Sequence, residues 1–164
     1  MMEDTTPALS FLQTLLYKLP SAAAAVTGNE DFPDLNGIVR FYATPYGGTL
    51  IESEFFELPV TDKNGGFQFY GFHIHENGDC TMPFSDTGAH YNPTDAKHPL
   101  HYGDLIPLFG NNGYAWSCFY NERINIAEIM GKSIVVHEMP DDFTTQPSGN
   151  SGEKIGCGVI KDIS

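Results

Sequence analysis

The rhythm of polar and apolar positions changes once along the chain. Ala8, Leu12, Leu15, Leu16 and Leu19 fall on one side of a helical wheel, with Ser10, Gln13, Thr14 and Lys18 on the other. Thr6 as N-cap, Pro7 in the first turn and Pro20 as a stop complete the signature of a short helix. From residue 22 onward the pattern becomes short runs divided by Gly, Pro, Asn and Asp, and no helical period lasts long enough for a crossover helix. The predicted strands are Ala22 to Val26, Gly37 to Ala43, Thr49 to Glu57, Gly66 to His75, Tyr114 to Tyr120, Ser133 to Glu138 and Ile155 to Ile160. Turn signals such as "DKNGG" and "GNNG" separate them. These runs predict an all-β domain over residues 22–164, a Greek-key sandwich or flattened barrel of about eight antiparallel strands. Residues 1–21 form a helical extension that closes one end. Two segments between strands, 76–112 and 139–153, are unusually long, and loops of that length in a compact domain are where chemistry is to be sought.

Composition narrows the function. A chain of 164 residues is one domain, able to bury about 69 % of its extended-chain surface. Eight Lys and Arg against 21 Asp and Glu give a net charge of -13, which disfavours nucleic acid and anionic membranes as partners. No apolar run approaches the roughly 18 residues needed to cross a bilayer, so the chain is expected in solution. The start carries Glu3 and Asp4 where a secretory signal has Lys or Arg, so it reads as part of the mature chain and the expected compartment is the cytoplasm. Three cysteines are too few for a disulfide scaffold but allow one bridge and a leftover thiol.

The histidines carry the candidate chemistry. All six, His73, His75, His90, His98, His101 and His137, lie at strand ends or in the first long loop, and Asp104 follows His101 by three. Spacing by two on a strand sends His73 and His75 to one face with Cα atoms about 7 Å apart, a pair able to hold one metal ion, and His137 ends an apolar run that can return to complete it. His90, His98, His101 and Asp104 offer three imidazoles and a carboxylate, enough for a closed tetrahedral zinc site. Nitrogen-only ligation suits copper, zinc, iron or nickel, and a tetragonal set of imidazoles favours Cu(II).

The strings "GFHIHENGDC", "GAHYNPTDAKHPLHYGDL", "VVHEMPDD" and "GNSGEKIGCGVI" together resemble the copper/zinc superoxide dismutase family, in the family's order, over about residues 22–160. "HIHENGDC" and "GDLIPLF" look closer to its bacterial branch than to the animal enzymes. The resemblance implies copper on His73, His75, His90 and His137, and zinc on His90, His98, His101 and Asp104, with His90 shared through its two ring nitrogens and carrying the proton during turnover. It implies that Asp141 links the two sites by accepting hydrogen bonds from their histidines. Lys154 stands where the family has an arginine that guides superoxide, with Ser148 near it on the channel wall; a lysine keeps the charge and loses the planar fork. Cys80 and Cys157 are placed like the family's disulfide, leaving Cys118 as a buried free thiol. Disproportionating superoxide to O2 and H2O2 needs a metal that cycles by one electron, which copper does and zinc does not. The implied partners are superoxide and, as in many family members, a second copy of the chain; export to the periplasm is the family's alternative to the cytoplasm. Against the family's pattern the stretches from His98 to His101 and from His137 to Lys154 are short. Two rival readings keep the fold and drop the enzyme: a copper/zinc-binding buffer or chaperone-like module, to which Lys154 and these shortened stretches point, and a zinc-only structural or adhesion sandwich.

Overall fold

The computed structural model describes residues 6–60 and 67–164. A helix, α1 (Pro7–Tyr17), precedes ten strands: β1 (Ala22–Gly28), β2 (Asn36–Ala43), β3 (Thr49–Phe56), β4 (Phe67–Tyr70), β5 (Phe72–His75), β6 (Leu108–Asn111), β7 (Ala115–Asn121), β8 (Ser133–His137), β9 (Lys154–Val159) and β10 (Lys161–Asp162). A single helical turn, α2 (Ile126–Ile129), sits between β7 and β8. The main sheet runs β5-β8-β9-β1-β2-β3-β7, all antiparallel, with β10 against β1. It begins as a meander, β1-β2-β3, and then jumps to β7 on one side and β9 on the other, which are Greek-key connections. β1 pairs with β9 at Thr27 and Gly28 and with β10 at Ala22 and Ala23, and the sheet curls into a flattened half-barrel. Inside lie Val39, Phe41, Ile51, Phe55, Phe72, Ile74, Leu108, Ile134 and Val136, all fully buried, at about 1.5–3 kcal/mol for each large side chain. Phe55 and Phe72 meet edge to face at 5.9 Å across the core.

The predicted strand Gly66 to His75 is two strands with different partners. β4 pairs with β6 in a separate two-stranded sheet, whereas β5 pairs with β8. The switch falls at Gly71, whose N–H donates to Met139 O and whose carbonyl accepts from His137 N–H. A Cβ there would lie 2.8 Å from Ser151 and 3.1 Å from His137, so only glycine lets the chain pass this close to the following loop. A strand period records which way a side chain points and is blind to a change of partner. β6 lies inside the segment read as loop 76–112; four residues long and laddered to β4, it is too short for a strand period to show. The "GNNG" signal marks a real turn, with Asn112 and Gly113 both at positive φ as a tight hairpin requires; "DKNGG" and Gly66 lie outside the described residues.

The helix forms with the predicted cap, the Thr6 side chain accepting from Leu9 N–H, and ends at Tyr17. The helix does not pack through its leucine side. Phe11 stacks on Tyr120 at 4.9 Å and Thr14 is buried, donating to Ser10 O, while Leu12 and Leu16 are 57 % and 71 % exposed. A docking site of aromatic rings on β7 and the β2–β3 turn outweighs the helix's own amphipathic pattern. Among the described residues no helix is long and apolar enough to cross a membrane.

Candidate metal centre

The alternation of β5 decides the first half of the site. Phe72 and Ile74 enter the core, and His73 and His75 project from the opposite face, where loops cover them so that all four residues are buried. β8 lies beside β5 and delivers His137 just past a register shift between Val136 and His137, with ring centroids 4.8 Å from His73 and 5.5 Å from His75. His90 arrives from the long loop, whose main chain bridges to β5 opposite His75 and is tied there by Tyr91 N–H donating to Ile74 O. Asp104 bridges in the same way opposite His73. The donor atoms of His73, His75, His90 and His137 all come within 4.8 Å of one another, and so do those of His90, His98, His101 and Asp104. Every histidine is buried, the most open being His101 at 7 %.

The hydrogen bonds assign the lone pairs. Burial pushes the Asp141 carboxyl up, but bonds from His73, from the Phe143 N–H and from His98 outweigh it and hold the group ionised, well below the usual carboxylate range. Asp141 therefore accepts from Nε2–H of His73 and of His98, both at 2.8 Å, and each ring is left with its lone pair on Nδ1. His75 and His137 donate from Nδ1 to the carbonyls of Gly88 at 2.9 Å and Gly152 at 3.2 Å. Their Nε2 atoms, both acceptors, then face each other at 3.3 Å. Two lone pairs at that distance repel unless a cation or proton lies between them. His73 Nδ1, His90 Nε2, His98 Nδ1 and His101 Nδ1 are buried with no hydrogen-bond partner. The last two lie 3.1 and 3.3 Å from Asp104 Oδ2 without hydrogen-bond alignment, as atoms that share a common ion would. The His90 ring places its other nitrogen, Nδ1, 2.7 Å from Asp104 Oδ1. These orphaned donors fit two metal ions, one in an all-imidazole set and one among imidazoles and a carboxylate.

Burial also keeps the strand-borne rings neutral, the form that binds metal. It lowers His73 to about 4, outweighing the bond to Asp141, and His137 to about 3, with the neighbouring His73 adding to the effect. His75 is likewise pushed well below the usual histidine range by burial and by His90 and His137. Gly149, at φ +73°, closes the back of the site: a Cβ there would stand 2.0 Å from Asp141 Oδ1 and 2.7 Å from His98 Nε2.

An open cavity of about 660 Å³ exposes the edges of His75, His90 and His137 beside Ser148 and Lys154. The Lys154 ammonium is seated by Thr87 Oγ1 at 2.7 Å and by the carbonyls of Phe84 and Gly88, both at 3.3 Å; burial lowers its pKa. Those three acceptors sit in the loop that the Cys80–Cys157 disulfide fastens to β9, with Phe84 packed against Cys157 and Val135. The bridge spans 77 residues and contributes about 4–5 kcal/mol on the chain-entropy account. Cys118 is free but only half-buried, a correction to its expected burial; it lies on β7 opposite Glu52, and burial with that carboxylate pushes its thiol up to about 11. Sequence reasoning missed Thr87 and the Phe84 and Gly88 carbonyls as the seat of Lys154, because a carbonyl leaves no compositional signal.

Comparison with known proteins agrees with this geometry. The family model described as copper/zinc superoxide dismutase matches residues 35–160, well over half of the chain. The chain belongs to the copper/zinc superoxide dismutase family. It is 36 % identical over 119 residues to Superoxide dismutase [Cu-Zn] 3 of Arabidopsis thaliana, a match covering 62 % of this chain and 73 % of that one. It is 30 % identical over 156 residues to the copper chaperone for superoxide dismutase of Rattus norvegicus, covering 87 % of this chain and about half (54 %) of that protein. In structure it is similar to the clock protein EA4, with a TM-score of 0.74 and 29 % identity over 90 % of this chain and 98 % of the other. α1 precedes the segment that the family model matches.

Proposed function

We propose that this protein is a superoxide dismutase, with copper held by His73 Nδ1 and by Nε2 of His75, His90 and His137, and zinc by Nδ1 of His90, His98 and His101 with Asp104. The observation that carries the reading is the pair of unshared Nε2 lone pairs of His75 and His137, 3.3 Å apart at the edge of an open cavity, beside the orphaned His73 Nδ1 and His90 Nε2. Copper bound there supplies one-electron cycling, and zinc supplies charge and structure. His90 offers one ring nitrogen to each group of donors, and its Nε2, when not bound to metal, would hold one of the two protons that peroxide needs to leave as H2O2, the other coming from water. Asp141 fixes the tautomer and tilt of His73 and His98 at once. Lys154 is the only cation in residues 138–154, against Glu138, Asp141, Asp142 and Glu153, so attraction of an anion to this strongly acidic protein is local, supplied by the metals and one ammonium. All three ammonium donors are already engaged, so docking an anion requires Lys154 to give up a bond that an arginine, with five donors, would keep.

A second reading, a copper-delivering or copper-buffering module, is favoured by the similarity to a copper chaperone and by that engaged lysine. Turnover separates the two. The copper- and zinc-loaded protein is expected to remove superoxide faster than the same copper presented with chelator; a rate equal to that control leaves the binding module as the function.

A further inference from the structure

The four donors of the second group are not anchored alike. His90 is held to β5 through its flanking residues, with Tyr91 N–H donating to Ile74 O and Glu76 N–H to Ala89 O. His101 and Asp104 hold each other: His101 N–H donates to Asp104 Oδ2 at 2.9 Å and Asp104 N–H to His101 O at 3.3 Å. His98 makes no main-chain bond to β5 and is followed by Pro99, which has no N–H to offer. Both of its main-chain groups go to one side chain 48 positions away: His98 N–H donates to Gln146 Oε1 at 3.0 Å, and Gln146 Nε2 donates to His98 O at 2.6 Å. This two-point amide contact reproduces a strand-to-strand pairing where no strand exists. The His98 ring is then pinned through Nε2 by Asp141, from the same 139–153 segment.

We infer that Gln146 is a positioning residue for zinc, locking the main chain of His98 so that its Nδ1 points at His90, His101 and Asp104. The inference rests on the proposed zinc site. The hydrogen bonds of Gln146 go to main-chain atoms and to no donor atom of either group; it acts by removing the freedom of one ligand before the ion arrives. Its two bonds are specific to a primary amide, because the residue must accept and donate at once in a fixed plane. Replacement by Leu keeps the size and removes both bonds. Replacement by Glu keeps the acceptor for His98 N–H and sets a carboxylate oxygen against His98 O, so it restores half of the contact at most.

The test uses the full-length protein with copper already in place, titrated with Zn(II), and with Co(II) as a spectroscopic stand-in at the same site. Gln146→Leu is expected to weaken zinc binding by about tenfold, the low end of what loss of an outer hydrogen-bond partner costs a metal site, and to change the Co(II) visible bands. The copper electron-spin signal and copper affinity stay as in the parent protein. Gln146→Glu falls between the two for zinc. Amide hydrogen exchange at His98 rises in Gln146→Leu while that of Tyr91, tied to β5, does not. An unchanged zinc affinity and unchanged Co(II) bands in Gln146→Leu overturn the inference, as does an equal loss of copper and zinc, which would make Gln146 a general prop of the fold. A parent protein that takes up no zinc overturns instead the reading on which the inference rests.

Discussion

The two halves of the centre are built on opposite principles. His73, His75 and His137 stand on neighbouring antiparallel strands, and their directions follow from the period of a β-strand and one register shift. His98, His101 and Asp104 stand on irregular chain, and their directions follow from side-chain contacts that reach across the loop or from the next one. His90 belongs to both halves, tied to β5 through its neighbours and bonded to Asp104. The difference teaches that a strand presents ligands at the cost of the sheet alone, whereas a loop needs a separate lock for each ligand. Without metal the main chain of the first half is expected to hold its place while the His75 and His137 rings part, and the second half is expected to sharpen as metal binds.

Removing the shared residue is the largest test of that division. His90→Ala is expected to empty both sites together and abolish superoxide turnover; retention of a full complement of either ion, read by elemental analysis, would break the description of two halves joined by one ring.

Acid attacks the strand-borne half. His73 at about 4, His137 at about 3 and the still buried His75 refuse protons in the folded protein that the unfolded chain accepts near 6.5. Their folded values are depressed, so the stability of the metal-free protein is complete above about pH 6.5 and falls as the pH drops toward 4, by about 1.4 kcal/mol for each unit of depression. Denaturant unfolding of the metal-free protein across pH 7 to 4 measures the slope, and His137→Gln should flatten it. A profile level over that range would mean that these rings are solvated in the absence of metal.

The smallest effect concerns the cavity beside the two halves. Lys154→Glu is expected to lower turnover at low superoxide by about tenfold, with copper content intact and the dependence on ionic strength altered. Lys154→Arg is expected to raise it by a few-fold, since donors remain for the anion after the seat on Thr87 and the two carbonyls is satisfied. Rates identical to the parent in both variants would leave Lys154 a structural prop of the Phe84 to Gly88 loop.

Much of this was legible in one dimension. The alternation of "FHIH" already aims two rings together, the grouping of every histidine at a strand end or in the first long loop points to metal, and the seven short runs define the class of fold. What escaped is what depends on partners distant in sequence. The break at Gly71 follows from a change of neighbouring strand, and the outward leucines of α1 from an aromatic seat formed by Tyr46 and Tyr120, a contact that no helical wheel contains. Gln146 shows no period and no cluster; it gains its part only because folding brings residue 146 against residue 98.

By itself the sequence determined the kind of sheet and the set of donors, because strand period and residue chemistry are local properties that each segment carries wherever it goes. Only the tertiary structure decided which nitrogen of each ring is free, which loop locks His98 and which acceptors engage Lys154. Those depend on hydrogen bonds closed between distant segments, and a hydrogen bond has a direction that no order of residues records.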